Sequence, residues 1–345
     1  MNKKLIFILM FSIVLLLSGC SNDDKVVLNV FNWGDYIDAS VLESFTEETG
    51  IKINYETYPS NEDMYLKIKS GGTQYDVIFP SDYMLEKMAK EELLEKIDLE
   101  QIPNFEHIGE TFKNPKYDLT NDYSVPYTWG TVGIMYNSDM ISETVDSWDI
   151  LWDEKYSGQI LMYDSQRDSL MVALKKLGYS MNTKNIEELN EARDLLIKQK
   201  PLVLAYAGDD GKGMIEQGEA AMFVTYSGDA MEIVDAYDYI NYAIPKEGTN
   251  IWYDCMAIPK GSENIDAAHQ FINYLSKPEI ALKNFEYLLY STANKTALES
   301  IDPEYLEMDA VNPNLSKLEN SEVFHDPGNF IEEFNRVWTE VKAAN

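Results

Sequence analysis

Among the 59 acidic side chains of this 345-residue sequence, one stands where an acid costs most. The run Trp252-Tyr253-Asp254-Cys255-Met256-Ala257-Ile258-Pro259 has the apolar, aromatic character of a buried strand, and Asp254 interrupts it. A carboxylate taken out of water without a partner is prohibitively costly, so Asp254 requires a cation or a set of donors. Trp252 lies two residues earlier, and side chains two apart on a strand share a face. An acid beside an aromatic face suits an organic cation: the carboxylate pairs with the charge, and the ring adds a cation–π contact of about 0.5–2 kcal/mol.

Catalytic constellations are missing by comparison. The three histidines, His107, His269 and His325, include no pair at zinc-ligand spacing, and there is no Gly-x-Ser-x-Gly elbow and no Cys–His signature. Gly208-Asp209-Asp210-Gly211-Lys212-Gly213 has neither the phosphate-loop nor the EF-hand spacing and reads as a turn before a helix. Cys255 reads as a small buried hydrophobe. The sequence therefore predicts no enzyme, no metal site and no cofactor.

The chain is long enough for two domains with their own cores. Its 28 basic against 59 acidic side chains give a net charge of −31, which opposes binding to nucleic acid or an anionic membrane surface. Most of these acids read as solvated surface. Asp35 and Asp82 have a turn or N-cap reading beside any functional one, and Asp168 could pair with Arg167 or Lys175.

The N-terminus carries Lys3 and Lys4, an apolar run from Leu5 to Leu17, then Leu17-Ser18-Gly19-Cys20. This is the pattern of a signal peptide over 1–19, its apolar run shorter than the ~20 residues a membrane helix needs. The ending resembles a bacterial lipobox, which implies acylation of Cys20 and a polar tether over 20–25. Beyond it, strands are expected at Val26–Phe31, Ile51–Thr57 and Tyr75–Pro80, with helices at Ser40–Thr49, Asn61–Ser70 and after Ser81-Asp82-Tyr83. That βαβαβ rhythm predicts a largely parallel sheet with ligand at the carboxyl ends of its strands. The second half predicts strands at Ile134–Asn137, Gln159–Tyr163, Val203–Ala205, Ala220–Thr225, Tyr242–Ile244 and Trp252–Pro259. Helices are expected at Ser165–Leu177, Ile186–Lys200, Gly211–Gln217, Ile265–Leu275, Pro278–Leu288 and Asn329–Lys342.

Asn32-Trp33-Gly34-Asp35-Tyr36, Phe45-Thr46-Glu47-Glu48-Thr49-Gly50-Ile51-Lys52, Ser60-Asn61-Glu62-Asp63-Met64-Tyr65 and Tyr75-Asp76-Val77-Ile78-Phe79-Pro80-Ser81 resemble the spermidine/putrescine-binding proteins of bacterial polyamine ABC transporters. Asp122-Tyr123-Ser124-Val125-Pro126-Tyr127-Thr128-Trp129-Gly130, Lys176-Leu177-Gly178-Tyr179-Ser180 and the Trp252 strand continue the match in order along the mature chain. The resemblance implies an α/β, two-lobed periplasmic-binding-protein (type II) fold: two mixed, mostly parallel sheets with a hinge and an interlobe cleft. Lobe 1 would take 26–132 and about 258–298; lobe 2 would take 133–257 and about 299–345. It implies a monomeric lipoprotein, anchored through Cys20 outside the cytoplasm, that passes spermidine or putrescine to a cognate ABC permease.

Site residues carry over by position. They are Trp33, Asp35 and Tyr36 from the first motif, Ser81 and Tyr83 after the third strand, and Asp168 and Tyr226 from the second lobe. Trp252, Asp254 and Tyr290 complete the set. Asp35, Asp168 and Asp254 would meet the ammonium groups, and the aromatics would pack on the methylenes. Two positions depart from the family pattern: Ser165 stands where a second acid is usual, and Phe324 where a glutamine is. A receptor for another organic cation or an amino acid is the alternative within this fold, and it lacks an arginine at the matched positions to clamp a carboxylate. A surface adhesin with a vestigial cleft is the alternative outside transport.

Overall fold

The computed structural model describes residues 26–72 and 74–344. The leader, Cys20 and the tether lie outside the described residues, and no described helix is long and apolar enough to cross a membrane. In chain order the first elements are β1 (Val27–Trp33), α1 (Ala39–Thr49), β2 (Lys52–Tyr58), α2 (Asn61–Ser70), β3 (Val77–Ile78), α3 (Asp82–Lys90) and β4 (Val125–Asn137). Then come β5 (Ile160–Tyr163), α4 (Gln166–Lys176), α5 (Ile186–Gln199), β6 (Val203–Ala207), α6 (Asp210–Glu216), β7 (Met222–Tyr226), α7 (Ser227–Val234), β8 (Ile240–Ala243) and β9 (Ile251–Met256). The chain ends with α8 (Ile265–Leu275), α9 (Pro278–Leu288), β10 (Ser291–Thr292), α10 (Lys295–Leu298), α11 (Pro303–Leu306) and α12 (Ile331–Ala343).

Local signals account for the early helices. Asp38 caps α1, and Gly50 ends it at φ 76°, where only glycine is unstrained. Ser60 caps α2 by accepting from the Asp63 amide at 3.1 Å while its hydroxyl donates to the Asp63 carboxylate at 2.6 Å. On the inner face of α1, Phe45 meets Phe271 and Tyr274 of α8 edge-on at 5.0 and 5.2 Å, which brings the later segment back onto the first lobe.

β1 pairs in parallel with β2 and β3. Single bridges from Ile78 to Ala257 and from Ser81 to Asp254 extend this sheet to β9, which pairs with the N-terminal half of β4. β4 belongs to the second sheet, where its C-terminal half pairs with β7 and β8 while β5 runs parallel to both β6 and β7. The result is an α/β molecule on two sheets, a three-stranded parallel one (β2-β1-β3) and a seven-stranded mixed one built around the thirteen-residue strand β4, with separate buried cores. Pairings within each βα unit are parallel; every pairing made by β4 is antiparallel.

Two differences from the sequence expectation have physical causes. β4 starts at Val125, nine residues before the expected strand, because Pro126 and Gly130 look like strand breakers. Pro126 borders a shift of register against β9, and a Cβ on Gly130 would come within 2.5 Å of Trp252. The second difference concerns β9, expected in the 133–257 segment of the second lobe. It pairs with β4 at Val125–Thr131 and is bridged at Ala257 and Asp254 to Ile78 and Ser81, so it stands between the two sheets.

Candidate functional site

Asp254 is 5 % exposed, and both its oxygens are engaged from the first sheet. The Tyr36 hydroxyl donates to Oδ2 at 2.5 Å and the Ser81 hydroxyl to Oδ1 at 2.6 Å. Tyr36 also shares a 2.8 Å bond with Thr128 of β4. Asn61, at the start of α2, fixes Ser81 by donating to its hydroxyl at 2.9 Å and accepting its amide at 3.1 Å. Burial pushes the Asp254 carboxyl from an ordinary 3.8 up to about 6, and the two hydroxyl bonds pull against that rise.

The second sheet contributes two further acids, Asp168 buried and Asp229 partly buried, each in the first turn of a helix that follows a parallel strand. After β5, Asp168 in α4 accepts from the Tyr226 hydroxyl at 2.9 Å on Oδ2. Its Oδ1 is buried with no hydrogen-bond partner among the described residues. Ser165 is the N-cap of α4, its hydroxyl 3.4 Å from the Asp168 amide. After β7, Asp229 in α7 accepts from the Tyr290 hydroxyl at 2.7 Å, with the Lys212 ammonium 3.8 Å away. Burial raises both carboxyls. The Ser165 and Tyr226 bonds with Arg167 oppose the rise at Asp168, and Lys212 and Tyr290 oppose it at Asp229.

These acids hang on one aromatic series that crosses from sheet to sheet. Tyr36 meets Tyr290 at 5.6 Å, Tyr290 meets Trp252 at 5.5 Å, and Trp252 meets Tyr226 at 6.0 Å, all edge to face. Asp254, Asp229 and Asp168 are each bonded to a tyrosine hydroxyl of the series. Trp252 Nε1 is likewise buried without a partner among the described residues. The arrangement offers separated negative charges along an apolar aromatic wall. That is complementary to a flexible chain carrying more than one cation.

Of the positions expected from sequence, Tyr36, Ser81, Ser165, Asp168, Tyr226, Trp252, Asp254 and Tyr290 gather in this network. Trp33, Asp35 and Tyr83 stand outside its hydrogen bonds. Trp33 donates from Nε1 to the Phe79 carbonyl at 3.0 Å, and Asp35 is exposed on a turn at φ 45°. Tyr83 donates to Glu62 at 3.1 Å and lies 5.8 Å from the Arg167 guanidinium. Phe324 is buried under Arg167 at 4.2 Å. Asp82 is buried as well; its carboxylate accepts the amides of Tyr83 at 2.6 Å and Tyr253 at 3.0 Å, pinning α3 to β9 beside Asp254. Among the described residues no group of three or more His, Cys, Asp or Glu is arranged to hold a metal ion.

Asp229 is the acid the sequence reading missed. In Tyr226-Ser227-Gly228-Asp229 it looks like a turn or cap residue, and the one usable signal was the glycine. A Cβ on Gly228 would fall 1.2 Å from the Tyr290 ring, so the ring rests directly on the backbone at the start of α7. Gly228→Ala must displace Tyr290 from Asp229 and Trp252. We expect ligand affinity to fall about severalfold and stability by roughly 1–3 kcal/mol, measurable by calorimetry and thermal melts.

A family model described as bacterial extracellular solute-binding protein matches residues 40–312. The chain belongs to that family. It is 35% identical over 330 residues to the spermidine/putrescine-binding periplasmic protein of Escherichia coli (strain K12), covering 95% of both chains. Among solved structures, the spermidine/putrescine ABC transporter substrate-binding protein PotD of Streptococcus pneumoniae is 41% identical with a TM-score of 0.85, over 92% of this chain and 99% of that one. A putative spermidine/putrescine ABC transporter from Listeria monocytogenes is 40% identical with a TM-score of 0.87, over 93% and 100%. The two-lobed periplasmic-binding-protein architecture of the family agrees with the two sheets and their separate cores. Its members are bacterial extracellular solute-binding proteins.

Proposed function

We propose that this chain is the receptor of an ABC importer: it captures a polyamine, spermidine or putrescine, between its lobes and delivers it to the cognate permease. The observation that carries the reading is the set of three buried or partly buried carboxylates, each hung on a tyrosine of one aromatic series. The names of its relatives support it. Ammonium groups replace water with carboxylates and aromatic faces, and methylenes pack between them. Lobe closure then lowers the local dielectric and strengthens each pair. The ligand-contacting set we assign is Trp33, Asp35, Tyr36, Ser81, Tyr83, Ser165, Asp168, Tyr226, Trp252, Asp254 and Tyr290, with Asp229 added from the structure. The chain acts without catalysis, as a monomer tethered outside the cytoplasm by lipid on Cys20; the Leu-Ser-Gly-Cys ending supports that anchor.

Calorimetry of the purified protein with putrescine, spermidine, spermine, lysine and glycine betaine tests the reading. Binding of at least one polyamine, in preference to lysine and betaine, is the expected result. Silence with all three polyamines sinks it.

A further inference from the structure

The segment from Glu322 to Gly328 is fastened to the second lobe on both sides of its midpoint, yet the midpoint rests on the first lobe. Glu322 pairs with Lys175 of α4, donates its amide to Thr249 at 2.9 Å and accepts from Ile251 at 2.8 Å. Asn182 then accepts the His325 amide at 2.9 Å and donates to the Val323 carbonyl at 2.8 Å, while Phe324 is buried in the second-lobe core. Arg167 donates to the His325 carbonyl at 3.3 Å. Past Gly328, α12 returns onto α4 and α5.

At the midpoint the contact is with α3. Glu86 Oε2 accepts the Asp326 amide at 3.1 Å and lies 3.5 Å from His325 Nδ1. Lys90 donates to Glu86 Oε1 at 2.7 Å and stands 3.9 Å from Asp326. α3 begins at Ser81 and Asp82, the residues tied to Asp254 and β9, so a pull on Glu86 acts on the helix that frames the site. An exposed ion pair contributes little, but a half-buried carboxylate accepting a backbone amide is a charge-assisted bond of greater strength.

We propose that Glu86 is a positioning residue for ligand retention: with the His325-Asp326 strap it forms a latch across the cleft mouth that holds the lobes closed and sets the rate of ligand escape. The latch touches no ligand: it slows opening and so ligand escape, and whatever fraction it holds closed without ligand is withheld from encounter. It goes beyond the polyamine assignment and requires only that two lobes close.

The test compares Glu86→Ala and Glu86→Gln with wild type by stopped-flow putrescine and spermidine kinetics and by small-angle X-ray scattering without ligand. Glu86→Ala is expected to raise the dissociation rate about fivefold, to increase the radius of gyration, and to raise the association rate only as far as the open fraction grows. Glu86→Gln, which still accepts the Asp326 amide, falls between. Where a polyamine binds, an unchanged dissociation rate in Glu86→Ala overturns the latch, whatever the scattering. If no polyamine binds wild type, the polyamine reading fails separately, and superimposable scattering curves overturn the latch.

Discussion

Asp254→Asn raises the dissociation constant for the bound polyamine about a hundredfold or more at pH 7.5 while the melting temperature does not fall. Removing one partner from a buried, hydrogen-bonded charge pair costs about 2–5 kcal/mol, because the ammonium group loses its counter-charge in a place water does not reach. The same substitution relieves the protein without ligand. The rise of the Asp254 carboxyl from 3.8 to about 6 means that holding it ionised in the fold costs roughly 3 kcal/mol at neutral pH. An asparagine fits the same space and can still accept from Tyr36 or Ser81, so the bonds are adjusted while the charge is removed. Calorimetry beside a thermal melt separates the two effects. Parallel loss of affinity and stability would make Asp254 a structural residue; unchanged affinity would remove it from the site.

Lowering the pH weakens polyamine binding, by about tenfold from pH 7 to pH 5 through Asp254 alone. Below about 6 the carboxyl carries a proton that the incoming cation must displace, so binding releases protons and the dissociation constant climbs as pH falls. Burial raises the Asp168 and Asp229 carboxyls too, in the same sense. Stability without ligand responds in the opposite sense. The folded-state value lies above the unfolded one, so the penalty for ionising Asp254 is complete above about 6 and absent below 3.8. This contribution to stability therefore improves as pH drops between those limits. Titration calorimetry in buffers of different ionisation enthalpy counts the released protons. A dissociation constant flat from pH 7 to pH 5 would mean that Asp254 does not pair with the ligand.

Asp254 was legible because an acid inside an apolar strand has few structural explanations, and Trp252 beside it pointed to a shared face. The elements around it were legible for related reasons. α2, α8 and α9 occupy the expected spans residue for residue: Ser60 caps α2, Pro278 opens α9, and an apolar stripe buries α8. α7 and the first half of β4 were hidden because tertiary contacts override their local signals. Gly228 and Gly130 read as breakers, yet each is small because an aromatic ring, Tyr290 or Trp252, presses against it. Asp229 was hidden with them, since its burial depends on Tyr290, a residue sixty-one positions away. The strap over Glu86 had no local signal either, being held by side chains from Asn182, Arg167 and Lys175.

β4 crosses from the first lobe into the second, β9 carries the chain back, and α12 closes on the second again. With three passages between the halves, no single cut by a protease divides the molecule into its lobes. A nick in one passage leaves two others holding the halves in register. The receptor behaves towards damage as one object, although it is built around two separate cores.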